Sequence, residues 1–444
     1  MSRRFLFTLW PLTGHLLPQL SVAGALRERG HEVAFFSGEA VRGPIEEHGF
    51  ELFPFARVDQ ERAFRCMRAV DTGDRRARPG GGRLLGLMRD WLVETIPDQV
   101  ADLQEVLSAW RADAIATDLS LLGPMVVVWE AERIPVALSS TFMGPLIPGP
   151  DAPAFGFGLR PPHTTVGRLG ASALTRLTEL GATPMRKRVD SLRAAHGLAP
   201  LGESLNRFTA RLPLYLVGNI RELDYGRHDL PASVHYVGNC ISYPGGAETV
   251  RRLEGIPTER PWVHVTESTL AYGDPFLLRT TIDALADEDV EVIVATGRQR
   301  DSGALGDRAS CSNVHVAQWL SHGELLPRCS ALVTVGGKAT ILAAAEAGVP
   351  MVLVPTTWDK PDNARRVTET GAGVRLSPRG LTAERLRGAV RQVLYEPSYR
   401  EAARRLADGL AAAPGPARAA ELLEALVPAE GSDRTPALVD RSSA

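Results

Sequence analysis

The chain has 444 residues, 44% of them apolar, a globular composition long enough for two or three domains with separate cores. Its formal net charge of −2 argues against a nucleic-acid footprint and against electrostatic attraction to anionic membranes. Four cysteines, Cys66, Cys240, Cys311 and Cys329, are scattered without a CxxC pair, which points to reduced thiols in a cytoplasmic protein rather than a disulfide framework or a zinc site.

No apolar run reaches the length of a membrane span, so no stable membrane insertion is expected. The opening MSRRFLFTLWPLTGHLLPQL mimics a signal peptide, but Pro11, Gly14 and His15 break its short apolar core. It reads better as a buried strand entering a loop. From there the pattern alternates. RFLFTLW is a strand, LPQLSVAGALRERG a helix, HEVAFFSG a strand, AVRGPIEEHG a helix and FELFPF a strand, as in βαβ units of a parallel sheet. Residues 57–82, rich in Arg and Gly, read as a long mobile loop. A helical stretch, the strand AIATD, a further helix and the strand PVALSS follow. Residues 141–165 carry many Pro and Gly and form an excursion. LPLYLVG and VHYVG end this half.

Residues 239–260 have the turn residues and weak periodicity of a linker. A second alternation begins at WVHVTES and runs through VEVIVATG, NVHVAQ, ALVTVG and PMVLVP. Helical patterns close it, and the last of them are free to pack back on the first half. The tail, 429–444, has no pattern and reads as disordered. The fold class is therefore α/β, with two Rossmann-like parallel-sheet domains, 1–238 and 261–428, facing a central cleft. Ligands in such sheets sit at the carboxyl ends of the strands, so each half can hold one substrate.

Within ALVTVGGKATILAAAEAGVPMVLVP (331–355), a strand runs through Gly336-Gly337 into a helix starting near Lys338. The glycines let backbone approach an anion closely, and the helix start aims free N–H groups and a positive dipole end at the same place. Thr340 adds a hydroxyl. Alone, a Gly-Gly turn is more often a matter of sterics. Here Trp319 precedes it, and Gly348-Val349-Pro350, Asp359-Lys360 and Asn363 follow in order. This constellation resembles the donor-binding signature of inverting, nucleotide-sugar-dependent glycosyltransferases of the GT-B fold, such as plant secondary-metabolite and macrolide enzymes. GHLLPQLSVAGALRERGHEV also resembles the family's opening, and the likeness spans nearly the whole chain apart from 57–82 and the tail.

The resemblance implies an N-terminal acceptor domain and a C-terminal nucleotide-sugar domain. It assigns donor contacts to Thr269, Trp319 (base stacking), His322, Gly336, Gly337, Lys338, Thr340, Asp359, Lys360 and Asn363. The family's phosphate-binding His falls on Val335, and Lys338, one of only three lysines, is expected to supply that charge. The family's ribose-gripping Glu falls on Ala343, with Glu346 one turn on as a partial substitute. A deoxyribose has no 2′-hydroxyl to grip, so this loss favours a dTDP-sugar over a UDP-sugar. Glu267-Ser268-Thr269 replaces the family's glycine turn after VHVT.

In the first half, His15 follows the first strand where the family places its catalytic base. Imidazole titrates near neutrality and a neutral ring can take a hydroxyl proton. Asp118, ending AIATD, would orient it; Asp113 begins that strand and would point away, and Asp98 and Asp102 read as helix surface. The expected activity is metal-independent inverting transfer of a sugar, of deoxysugar type, to a small apolar aglycone. No cofactor beyond the nucleotide-sugar co-substrate, no metal site and no nucleic-acid partner are expected; a homodimer is allowed. Acceptor contacts are assigned to 57–93 and 141–196. The rival readings are a nucleotide-sugar epimerase or retaining transferase, and a non-catalytic partner with a weakened donor site.

Overall fold

The computed structural model describes residues 2–70, 81–243, 246–267, 274–298, 300 and 302–427. The first sheet comprises β1 (Arg4–Thr8), β2 (Glu32–Ser37), β3 (Glu51–Pro54), β4 (Ala114–Thr117), β5 (Val136–Ser140), β6 (Leu214–Val217) and β7 (Val234–Tyr236), in the order β3-β2-β1-β4-β5-β6-β7. The second comprises β8 (Trp262–Thr266), β9 (Glu291–Ala295), β10 (Val314–Ala317), β11 (Ala331–Thr334), β12 (Met351–Leu353) and β13 (Gly373–Arg375), in the order β10-β9-β8-β11-β12-β13. Every pairing is parallel. The central strands are buried on both faces, so they read as continuous apolar runs: FLF in β1, VIV in β9.

In each sheet the strand order reverses once beside the first strand. In the first the reversal lies between β1 and β4, with Thr8 opposite Thr117; in the second, between β8 and β11, with Thr266 opposite Thr334. Connections leave such a point in opposite directions and open a crevice beyond the strand ends. His15 and Asp118 follow β1 and β4. Glu267 and the Val335-Gly336-Gly337 turn follow β8 and β11.

Four elements matter most for the sites: α1 (Thr13–Glu28), α2 (Lys338–Glu346), α3 (Lys360–Glu369) and α4 (Pro416–Leu426). Helix α1 starts four residues earlier than the sequence pattern predicts, and Pro18 lies inside it. Proline has no N–H to return to the Gly14 carbonyl, so one bond of the helical ladder is missing in the second turn. The early start carries His15 on the first helical turn rather than on a loop.

Other departures have local causes. A helix, Glu61–Val70, occupies part of the expected 57–82 loop; Ala63, Cys66, Met67 and Val70 make its buried stripe, which the Arg-rich composition conceals. Residues 71–80 lie outside the described residues. Within the expected linker, Ala247–Leu253 is helical and buries Thr249 and Leu253. The expected disordered tail also lies outside the described residues. Asp102, expected on a helix surface, is 2% exposed and accepts from the backbone N–H groups of Ala56, Arg57 and Val58. A buried carboxylate gathering three amides fixes the path of the chain after β3. Asp113 accepts from the Arg4 N–H at the far end of the sheet from the crevice.

The C-terminal helix α4 returns to the first domain and packs on α1. Its Glu424 receives Arg29 through Nε at 2.8 Å and Nη2 at 2.6 Å, and His31 Nε2 lies 2.6 Å from Oε1. The chain thus crosses between domains twice, and the crossings touch: the Gly415 N–H donates to the Val237 carbonyl at 2.7 Å. Both glycines at this junction have positive φ, 97° at Gly238 and 60° at Gly415, and a Cβ on Gly238 would lie 2.6 Å from Ala413 Cβ. Only glycine fits such an approach.

The Glu424 carboxyl is held down at about 2, first by its hydrogen bond from Arg29 and also by the His31 hydrogen bond and the two charges, against opposing desolvation. Its contribution is complete above the unfolded value near 4.5 and is lost as pH falls toward 2. Glu424→Gln is expected to lower the melting temperature at pH 7, with the gap to wild type closing between pH 4.5 and 2; a pH series of thermal melts checks this.

Candidate active site

Parallel pairing of β1 with β4 sets the His15–Asp118 distance. His15 Nδ1 lies 2.7 Å from Asp118 Oδ2. The carboxylate is fully buried and also accepts from Ser120 N–H and Oγ at 2.5 Å and from the Trp10 N–H at 3.3 Å. Burial opposes its charge, but the His15 charge and hydrogen bond, followed by those of Ser120, outweigh burial and hold its pKa below the usual value. An ionised carboxylate only accepts, so Nδ1 carries the hydrogen and Nε2 of a neutral ring keeps its lone pair. The His15 side chain is 22% exposed, giving that nitrogen a way to the cleft. Trp10, buried with its Nε1–H on the Ser120 carbonyl at 2.7 Å, braces the Asp118 turn.

The opposite wall is the turn after β11. Gly336 has φ 94°, and a Cβ there would meet the Lys360 carbonyl at 3.3 Å. Gly337 is the extended residue before α2, and Thr340 lies half-buried in the first helical turn. Asn363 joins the two parts of the signature: its Nδ2 donates to the Gly336 carbonyl at 3.1 Å and to Asp359 Oδ2 at 2.7 Å. The starts of α2 and α3 are therefore one unit, with Asp359 and Lys360 at its rim. Trp358, just before Asp359, has φ 60°, a left-handed conformation rare for a bulky residue. Its ring packs edge-on against Trp91 of the first domain, with centroids 6.4 Å apart. Sequence reasoning missed Trp358, because neither its backbone strain nor its partner leaves a local signal.

Trp319 follows β10 and is 40% exposed, so it is no part of the core. The Arg298 guanidinium lies 4.8 Å from its ring centre, so one face already serves as a π-platform. His322 starts a short helix and sits between Tyr243 and His264, at centroid distances of 6.2 and 5.6 Å. Burial pushes its pKa down to about 4, so it is neutral near pH 7. The Tyr243 hydroxyl donates to the Ala339 carbonyl on α2 at 2.7 Å. Thr269 and Ser268 lie outside the described residues. Glu267 pairs with Arg300 and accepts from the Leu277 N–H at 3.0 Å, so this carboxylate is neutralised where it borders the glycine turn.

Val335, in the position of the family's His, is 3% exposed within the core of the second domain. Two expectations meet a different geometry. Lys338, expected to face a diphosphate, reaches across the cleft instead: its Nζ donates to the Ser140 carbonyl at the end of β5, at 3.0 Å, beside Gly218 and Cys240. Its long stem at the helix start spans the gap to the first domain, and sequence order says nothing of that neighbour. Glu346, considered as a ribose contact, lies instead near Asn239 of the linker, and burial raises its pKa. Among the described residues, no three His, Cys, Asp or Glu side chains are grouped to hold a metal ion, and no helix is long and apolar enough to cross a membrane.

The arrangement can hold an anion on one wall of a cleft and a proton acceptor on the other. Residues 279–426 match the family model for the C-terminal domain of erythromycin biosynthesis protein CIII-like proteins. The chain is 35% identical over 436 residues to 4′-demethylrebeccamycin synthase of Lentzea aerocolonigenes, covering 96% of this chain and 100% of that one. It also superimposes on the crystal structure of CalG4, the calicheamicin glycosyltransferase, with a TM-score of 0.74 at 21% identity, over 96% of this chain and 98% of that one. The glycosyltransferase VinC in complex with dTDP superimposes with a TM-score of 0.66 at 20% identity, over 96% and 99%. The fold is that of the GT-B glycosyltransferases. The chain belongs to the antibiotic and natural-product glycosyltransferases of this fold.

Burial lowers the Lys338 ammonium from its usual 10.5 to about 8, against smaller opposing effects of Cys240 and Asp359. Between pH 8 and 10.5 the unfolded chain binds a proton that the folded chain does not, so stability rises with pH across that window. Lys338→Met removes the effect. The melting temperature of wild type relative to Lys338→Met is expected to climb from pH 8 to 10.5, measured by parallel thermal melts.

Proposed function

We propose that this glycosyltransferase moves a sugar from a dTDP-sugar to a small natural-product acceptor with inversion at the anomeric carbon, and that His15 is the general base. The observation that carries the reading is the 2.7 Å contact of His15 Nδ1 with the buried Asp118, which leaves Nε2 as the proton acceptor in the crevice. In the reaction, His15 Nε2 takes the acceptor's proton as the acceptor atom bonds to the anomeric carbon. The bond from that carbon to the diphosphate oxygen breaks, and dTDP departs with the electron pair. Asp118 stabilises the imidazolium so formed.

The Gly336–Thr340 helix start is the proposed seat of the diphosphate, through backbone N–H groups and the helix dipole. Lys338 lies at this helix start but is engaged with Ser140, so the backbone is the main anion holder in this reading. Trp319 is the proposed platform for the base, with His322 in the nucleoside region and Asp359, Lys360 and Asn363 at the sugar end. The dTDP preference draws support from Ala343, where the family carries a ribose-binding carboxylate, and from the dTDP complex of VinC.

His15→Ala is expected to lower the turnover rate by about 10²–10⁴-fold while dTDP binding is retained. Asp118→Asn, which disturbs the tautomer, should do similar but smaller damage. Steady-state kinetics with calorimetry of dTDP binding is the measurement, and near-normal turnover by His15→Ala would remove it as base. Calorimetry with dTDP and UDP tests the donor class: dTDP is expected to bind more tightly, and the reverse order would refute the preference.

A further inference from the structure

Helix α3 is engaged on more than its donor-facing end. Two residues after Lys360, Asp362 turns toward the first domain: its Oδ2 accepts from the Gly156 N–H at 2.6 Å and its Oδ1 from the Gly158 N–H at 2.7 Å. One turn further, Arg366 donates through Nε to Asp224 of the first domain at 2.6 Å, and its guanidinium lies 4.2 Å from the Tyr225 ring centre. Arg366 and Asp224 are both nearly inaccessible, with side chains 7% and 1% exposed.

An interdomain ion pair removed from water is costly unless its geometry is close and its other polar atoms are satisfied. Here Asp224 also receives the Tyr236 hydroxyl, and the Tyr225 N–H at 2.7 Å. The receiving loop is shaped for this contact. Gly156 and Gly158 have φ of 90° and 59°, and a Cβ on Gly158 would lie 2.6 Å from the Pro361 carbonyl, so only glycine fits against the start of α3. The loop belongs to the excursion that leaves β5 at Ser140, and Phe142 packs edge-on against Phe155 at 5.4 Å.

We propose that Asp362 is a positioning residue that clasps the acceptor-side loop at 155–158 onto donor helix α3, while Arg366 ties the same helix to Asp224 of the first domain, so that a nucleoside diphosphate seated at the starts of α2 and α3 orders the acceptor wall of the cleft. This rests on the donor reading above only for the ligand; the clasp itself is a contact between the two domains. It makes acceptor-pocket assembly conditional on domain closure, through a loop with no part in the proton transfer.

The clasped amides belong to the Phe155–Gly156 and Phe157–Gly158 bonds, and both Phe rings are exposed, at 38% and 51%, so chymotrypsin reads the clasp directly. Cleavage follows the fraction of time the loop is open, and losing charge-assisted bonds in Asp362→Asn is expected to speed nicking after Phe155 and Phe157 by about tenfold or more. Gly158→Ala opens the same contact from the loop side, without altering α3, and should give the same local nicking. In both variants the dTDP dissociation constant should stay within about twofold of wild type, because the clasp lies off the donor surface. Saturating dTDP should protect these two bonds in wild type and lose that protection in the variants.

Unchanged nicking in both variants, or faster cleavage spread over the whole chain with a matching fall in melting temperature, overturns the clasp. A wild type that binds dTDP without protection overturns the coupling. A wild type that binds no dTDP removes the donor reading and with it the coupling, while the ligand-free nicking rates still decide the clasp.

Discussion

Parallel pairing at two points, Thr8 with Thr117 and Thr266 with Thr334, is the constraint on which the rest of the structure depends. Each pairing brings together two strands that are far apart in sequence and whose outgoing connections diverge. The space left between those connections is a crevice above the strand ends in which side chains from two loops can meet around a ligand. In the first domain it receives an imidazole and a carboxylate; in the second, a glycine turn opening a helix. Facing the two sheets across one cleft then sets the imidazole and carboxylate opposite the glycine turn, the layout on which the proposed reaction rests.

The buried Asp118 illustrates why this scaffold suits such chemistry. A carboxylate out of contact with water stays charged only if its surroundings supply hydrogen bonds, and here Ser120, Trp10 and His15 all do so. The network fixes the ring and leaves one nitrogen accessible. Across the cleft, Asn363 plays the comparable structural part, tying the glycine turn to the start of α3 so that two distant stretches of chain act as one surface. Both arrangements place the flexible chemistry on rigid supports.

Much of this was legible in the sequence. Alternating apolar runs and helical periods define the two sheets, because strands buried on both faces must be continuously apolar. His15 and Asp118 were legible as a pair because both follow strands, and the order of Gly336-Gly337, Asp359 and Asn363 pointed to the unit that Asn363 ties together. What the sequence concealed is tertiary in origin. The helix at 61–70 hides its four-residue apolar stripe among arginines. Asp102 looks like any surface carboxylate until the amides of 56–58 are seen to converge on it. Lys338 has the charge and position of a phosphate ligand, but the length of its stem lets the other domain's Ser140 capture it. The strained Trp358 and the residues that α3 turns toward the first domain depend on what lies opposite, which periodicity does not encode.

The double crossing at Gly238 and Gly415 bears on how such proteins can be recombined. The first domain is not a contiguous block, since the chain returns across the cleft to lay α4 on α1 and to seat Glu424 between Arg29 and His31. A chimera joined once in the linker would import a foreign α4 onto the native α1 and misplace those partners. Exchange of the donor half therefore takes two junctions, one on each side of the glycine contact, with α4 kept from the same parent as the acceptor domain.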